Sequence, residues 1–327
     1  MNDENTGTRI FLKDLLYGNN EIKSPSIITL INSAPVQRLK LINQFGIPDE
    51  FYHLKNYSRY VHSIGVLLLL KKLGAFEEEQ IAGLLHDVSH TAFSHVYDWI
   101  MDDYTRQGNK EDKQDKGHKD FIRNSEIPHI LRRYGHSVER ITDYHHFGLL
   151  ERDSPDLCAD RIDYSLREFS PETAGKILDG LTVFDRQIVC RDYQTAALYG
   201  RAFLNLQQEH WGGYEAVVRY HLFAKTLRTA LKAGIVSADD FLLHDEHIIS
   251  RLKASGNTKI LVGLEFLKQR TIPPAKSGVV VYKKFRYIDP LYLNGTSLIR
   301  LSKKDTEFRK LLNNARRRNK EGVLVPK

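Results

Sequence analysis

The chain has 327 residues, 41% of them hydrophobic and 27% charged, with a formal net charge of +7 at pH 7. These are ordinary values for a globular protein able to bury one large core or two smaller ones. Cys158 and Cys190 are too few for a disulfide framework, no apolar run nears the ~20 residues of a membrane span, and the acidic opening Met1 to Asn5 is wrong for a secretory signal, so a cytoplasmic protein is expected.

Apolar spacing is helix-like through most of residues 25–250, with breaks at Gly46-Ile47-Pro48, Gly74, Gly108, Pro128 and Ser170-Pro171. Arg59-Tyr60-Val61-His62 opens a helix that continues through Leu67-Leu68-Leu69-Leu70, and i, i+3 spacing sets Arg59 over the face of His62. A second apolar run, Ile81-Ala82-Gly83-Leu84-Leu85, ends at His86-Asp87-Val88-Ser89-His90-Thr91-Ala92-Phe93-Ser94-His95. Asp98, three residues beyond His95, can share its helix face. The charged stretch from Asp102 to His118 predicts a mobile loop leading to His118. Next, Cys158 to Arg167 predicts a helix with Asp160 and Tyr164 on one face at i, i+4.

After Gln269 the texture changes. Ile272-Pro273-Pro274 reads as a linker, Gly278 to Tyr282 and Phe285 to Ile288 as a short β pair, and Phe308 to Lys320 as a basic final helix. The expected architecture is mainly α: residues 1–268 with a core at about 30–250, then a small, basic α+β region over 269–327. Residues 268–327 hold sixteen Lys and Arg against four Asp and Glu, so the remainder of the chain is net acidic. Such a tail suits contact with a nucleotide, a nucleic acid or another subunit, or is a solvated basic face.

Three imidazoles and a carboxylate beside an apolar helix suit a metal site, since neutral imidazole and carboxylate are the usual ligands of Zn, Fe and Mn in hydrolytic centres. Adjacent helical side chains diverge by about 100°, so one ion can take both His86 and Asp87 only if other helices complete its shell. His62 and Asp160 supply a further imidazole and carboxylate. The set His62, His86, Asp87 and Asp160 would hold one divalent ion, with Mn, Fe, Zn, Co, Ni and Mg all open.

The ordered ligands and the string His86-Asp87-x-x-His90-x-x-Phe93-Ser94-His95 resemble the HD superfamily of metal-dependent phosphohydrolases, and more narrowly its dNTP triphosphohydrolase branch. The likeness spans roughly residues 30–250 and is strongest over Val36 to Gly46, Arg59 to Val66, Ala82 to Asp98 and Ala159 to Arg167. It implies an HD-domain helical bundle, a nucleotide substrate (a dNTP split to deoxynucleoside and triphosphate) and assembly as a homo-oligomer. It further implies that His90, His95, Asp98 and His118 line the phosphate path. On that pattern His95 meets the phosphate nearest the sugar, and His90 or His118, oriented by Asp98, acts as general acid. Arg59, Arg161 and Tyr164 would bind phosphates and sugar, while Gln44 would read the sugar hydroxyl with Phe45 packed on the ring. Phe45-Gly46 also reads as a helix end with a core aromatic. Three departures from the branch stand out: Lys119 where Glu is frequent, Asn32 and Lys40 at the guanine-reading allosteric positions, and no counterpart of the vertebrate SAM domain.

The same residues admit other functions. An HD hydrolase of a different nucleotide phosphate would share the site, although Ser89-His90 replaces the acidic pair of alarmone hydrolases and no GYP signature of cyclic di-nucleotide cleavage occurs. A nucleotide- or nucleic-acid-binding protein with a structural metal would need only the ligands and the basic tail.

Overall fold

The computed structural model describes residues 9–54, 56–102, 104–106 and 117–327. Helices dominate them, with small sheets at the periphery. Much of the stretch expected to form a loop before His118 (Asp103 and 107–116) lies outside the described residues, as does Gly108.

The helix Arg59–Lys72 begins at Ser58, whose hydroxyl accepts from the backbone N–H of Val61, satisfying one of the first-turn donors that a helix leaves unpaired. Its side chains from Val66 to Leu70 are fully buried. The helix Glu77–Leu85 opens with three glutamates against the positive end of its dipole. The two pack closely because Gly83 has no Cβ where Leu70 Cδ1 sits. The helix Ala159–Leu166 crosses the first of them at Gly65, where an added Cβ would run into the Asp163 carboxylate and the Arg167 guanidinium.

Buried apolar side chains form two clusters. One is built around these helices together with Pro25–Asn32, Pro171–Asp179 and Tyr193–Leu206, and it includes Phe308, Leu312 and Ala315 of the final helix Thr306–Glu321. The other joins Phe45, Phe51, Ala92, Phe93 and Trp99 to the helices Tyr214–Lys232, Asp245–Ala254 and Thr258–Leu267. Leu85 and Val88 belong to the first and Ala92 and Phe93 to the second. The histidine-rich segment is therefore one place where the chain crosses from one cluster to the other.

Strands lie where the sequence reading had helix or no element. Ile10–Asp14 pairs with Gly18–Ile22. Leu181–Phe184 pairs with Gln187–Cys190 around Asp185 and Arg186, both at positive φ, the geometry a two-residue hairpin turn demands. The hairpin Leu291–Asn294 with Ser297–Arg300 extends that sheet. The expected β pair of the C-terminal region is corrected: Val279–Val281 pairs with Val323–Val325, and Phe285 to Ile288 forms no strand. Pro128 does not break a helix but stands in the first turn of Ile127–Arg133, where its missing N–H costs nothing. Phe45-Gly46 does not end an α-helix; a 3-10 turn closes at Leu41, and Asn43 bridges to Ser58. No helix among the described residues is long and apolar enough to cross a membrane.

A candidate metal centre and its cleft

The four expected metal-binding side chains meet at the crossing. His62 Nε2 lies 3.2 Å from His86 Nε2, 3.0 Å from Asp160 Oδ1 and 3.7 Å from Asp87 Oδ2. His86 Nε2 is 3.5 Å from Asp87 Oδ1 and from Asp160 Oδ1. Ligand atoms of His62, His86 and Asp160 all fall within 4.8 Å of one another.

Proton placement decides what this cluster can hold. His62 Nδ1 donates to Asp163 Oδ2 at 2.7 Å, and His86 Nδ1 donates to the carbonyl of Gly83 at 2.7 Å. With Nδ1–H so fixed, the two Nε2 atoms face each other and the carboxylates, an arrangement that favours positive charge there, a proton or a metal ion. The electrostatics agree. Burial works against charge on His62, yet Asp160 and Asp163 outweigh it and raise its affinity for a proton. Burial likewise opposes charge on His86, and Asp87 and Asp160 push it up to about 9. His62, His86 and Asp160 are grouped closely enough to hold one divalent ion, with Asp87 beside them on Arg59 and His90.

The surrounding residues hold the ligands in place. Asp163, which the sequence reading passed over, also accepts from Arg167 Nε at 2.8 Å and from the Tyr17 hydroxyl at 2.9 Å. Its signal was available: Asp160-x-x-Asp163 and Asp163-x-x-x-Arg167 share a helix face. Arg59 Nη1 meets Asp87 Oδ2 at 2.5 Å, Arg59 Nε donates to Ser94 Oγ at 2.9 Å, and both charged side chains are buried. Phe93 and Ser94 are at positive φ, strain that a side chain resists unless its surroundings impose it. Here Phe93 packs edge-on against Phe223, and the Ser94 hydroxyl donates to the Asn43 carbonyl.

The expected phosphate-path residues divide. His90 Nε2 is 3.0 Å from Asp87 Oδ1, and its Nδ1 is buried without a partner among the described residues. His118 is held by Ser89 at Nδ1 (2.9 Å) and by the Tyr144 hydroxyl at Nε2 (2.7 Å). Burial first, then the Arg59 charge, lowers His90 to about 4; burial and the positive charge on His86 lower His118 to about 4. Asp98 was expected to orient His90 or His118. It instead bonds His95 Nδ1 at 3.1 Å, because His95 sits just before the helix Val96–Met101 and faces the carboxylate three residues on.

A hollow opens from the metal cluster, and a second one shares part of its lining. A polar cleft is lined by His86, Asp87, His90, His95, His118, Asp160 and Arg161. A more aromatic chamber is lined by Phe45, Tyr57, Trp99, Tyr164, Trp211 and Tyr220, with Asp98 and Glu168. Gln44, His95, Tyr164, Lys284 and Arg286 line both. The Oε1 atom of Gln44 is buried without a hydrogen-bond partner among the described residues. Arg161 borders the cleft, and its donors reach the carbonyls of Asp156 (2.7 Å) and Arg152 (3.3 Å) and Cys158 Sγ (3.1 Å). Glu151, Cys158 and Asp160 form a second cluster of metal-ligating types. The Arg161 guanidinium, 3.8 Å from Glu151 and 3.1 Å from Cys158 Sγ, already provides the cation there.

Sequence reasoning also missed Glu168, which accepts from Trp211 Nε1 at 2.8 Å and pairs with His210. A π-helical turn, Gln207–Trp211, delivers both partners, and nothing in apolar periodicity announces such a turn.

Residues 59–168 match the HD domain family model. The chain is 36% identical to the uncharacterized protein YdhJ of Bacillus subtilis, across 96% of this chain and 98% of that one. It is 29% identical to the metal-dependent phosphohydrolase cns2 of Cordyceps militaris, across 86% and 84% of the two chains. A shorter match, 32% identical over 27% of this chain and 20% of the other, is to the deoxynucleoside triphosphate triphosphohydrolase SAMHD1 homolog of Dictyostelium discoideum.

Proposed function

From the membership of this chain in the HD domain family, as a metal-dependent phosphohydrolase, we propose that it hydrolyses deoxynucleoside triphosphates to deoxynucleoside and triphosphate. The observation that carries the reading is the adjoining pair of hollows. A polar cleft beside the metal cluster adjoins an aromatic chamber, and Gln44, His95 and Tyr164 line both. A nucleotide has that same polarity: charged phosphates at one end, a flat aromatic base at the other.

His62, His86, Asp87 and Asp160 would hold the divalent metal. When bound, the ion polarises a phosphoryl oxygen and makes water a better nucleophile at neutral pH. The protein's own groups do the rest. Phe45 and Tyr164 flank the sugar, and the unpartnered Oε1 of Gln44 accepts from its hydroxyl. Water attacks the phosphorus nearest the sugar, the P–O bond to the sugar breaks, and a proton must reach the departing oxygen. His95 is the residue for that transfer: it lines both hollows, and Asp98 fixes its ring. His90, held by Asp87, and His118, held by Ser89 and Tyr144, shape the phosphate path.

The test is a panel of ribo- and deoxynucleoside mono-, di- and triphosphates with Mn, Mg, Fe and Co, resolving triphosphate from pyrophosphate and phosphate as products. Release of triphosphate from dNTPs is expected. Turnover of monophosphates alone would move the substrate to another nucleotide phosphate, and no metal-dependent turnover would leave a binding protein with a structural ion.

A further inference from the structure

The catalytic core has arginines near the metal cluster, but each is engaged. Arg59 lies on Asp87 and Ser94, Arg161 on backbone carbonyls and Cys158, and Arg167 on Asp163 and Asp14. Two carboxylate ligands already offset the charge of one divalent ion. Of the core's other cations Lys119 also lines the cleft, and the several anionic oxygens of a polyphosphate need more partners than that one lysine.

We propose that Lys284 and Arg286, on the segment of the C-terminal region just after Val279–Val281, bind the phosphate groups of the substrate. This deepens the nucleotide reading of the same site and rests on it. Both residues line the cleft and the chamber. Neither side chain has a hydrogen bond or ion pair among the described residues, while the backbone around them is pinned. The Arg286 N–H donates to Gln207 Oε1 at 3.0 Å, the Lys283 carbonyl accepts from Asn319 Nδ2 at 3.1 Å, and the Tyr282 N–H donates to the Tyr104 carbonyl at 2.8 Å. Lys283 lines the chamber alone, with Nζ 4.0 Å from the centroid of the Tyr220 ring. A fixed backbone carrying unengaged cations over a polar cleft is a construction for grasping anions. Part of the C-terminal basicity thus belongs to the catalytic site.

The experiment is calorimetric titration of magnesium tripolyphosphate into the metal-loaded protein, comparing wild type with Lys284→Ala, Arg286→Ala and the double variant, with metal content measured for each. Each substitution is expected to weaken binding by about tenfold at unchanged metal content. Lys284→Arg and Arg286→Lys should restore most of the loss. Equal affinities in wild type and double variant, or no binding by wild type, would overturn the proposal. Tripolyphosphate binding that depends on both residues, in a protein that hydrolyses no dNTP, would sustain this inference while overturning the dNTP assignment.

Discussion

Asp163 Oδ2 accepts the Nδ1–H of His62 at 2.7 Å, from a carboxylate wholly buried beneath the cluster that the His62 ring faces. Such a partner fixes the tautomer and aim of a ligating imidazole, and its loss typically costs 10–100-fold in metal affinity. Asp163→Asn keeps an acceptor oxygen but removes the charge that Arg167 also grips. Metal affinity is expected to fall by roughly that factor, read by chelator competition, while Asp160→Ala should lose the ion outright. A variant at 163 that held metal as tightly as wild type would end the orienting role.

His86 and Asp87 are chain neighbours with unequal structural burdens. Removing the His86 ring deletes a donor and leaves no charge stranded. Removing the Asp87 carboxylate leaves the buried Arg59 guanidinium without its counter-ion, a change worth about 3–5 kcal/mol. Both alanine variants should lose metal and turnover, and only Asp87→Ala should also unfold at much lower denaturant. Similar unfolding midpoints for the two would show that Ser94 and the Gln44 carbonyl, 3.5 Å from Arg59 Nη2, suffice to hold Arg59.

His95 should separate chemistry from metal binding. It bonds Asp98 and is not one of the three residues, His62, His86 and Asp160, whose ligand atoms lie within 4.8 Å of one another. His95→Ala is expected to keep its metal and to lose about 10²–10⁴-fold in turnover, and Asp98→Asn should lose less and shift the pH profile. Loss of metal from His95→Ala would make His95 a ligand and leave the leaving oxygen without its proton donor.

What the sequence disclosed and what it hid follow from the range of the interactions. The His62, His86, Asp87 and Asp160 set was legible because helix periodicity and residue type are local properties. The long helices were legible for the same reason, from Val66–Leu70 and its like. The i, i+3 spacing put Asp98 on the face of His95, where it lies, but its expected work on His90 or His118 depended on the turn at Phe93-Ser94, which packs against a helix some 130 residues later. The Val279–Val281 strand was seen, but its partner Val323–Val325 lies beyond an intervening helix. The commitment of Arg161 to backbone carbonyls has no sequence signature at all.

The acid stability of the C-terminal region supplies a last test, because the segment bearing Lys284 and Arg286 is followed by a helix that one carboxylate anchors. Asp305 caps Thr306–Glu321 by accepting from the Phe308 N–H at 2.8 Å, and it also takes the Tyr193 hydroxyl at 2.9 Å and Arg201 Nη1 at 2.8 Å. Burial alone would raise its pKa, but Arg201 and these donors prevail and bring it from an ordinary 3.8 down to about 2. A folded-state value below the unfolded one means that Asp305 contributes stability above about pH 4 and loses it as pH falls toward 2. Asp305→Asn retains a good capping oxygen and gives up the ion pair with the partly exposed Arg201, so at pH 7 it should cost only about 0.2–1 kcal/mol. Asp305→Ala loses the cap as well and should cost about 0.5–2 kcal/mol at pH 7. Denaturant unfolding at pH 7, 5, 4 and 3 should show the wild-type and Asp305→Asn curves parting at neutral pH and drawing together below pH 4. A gap that stayed constant down to pH 3 would mean that the Asp305 charge does not hold the helix in place.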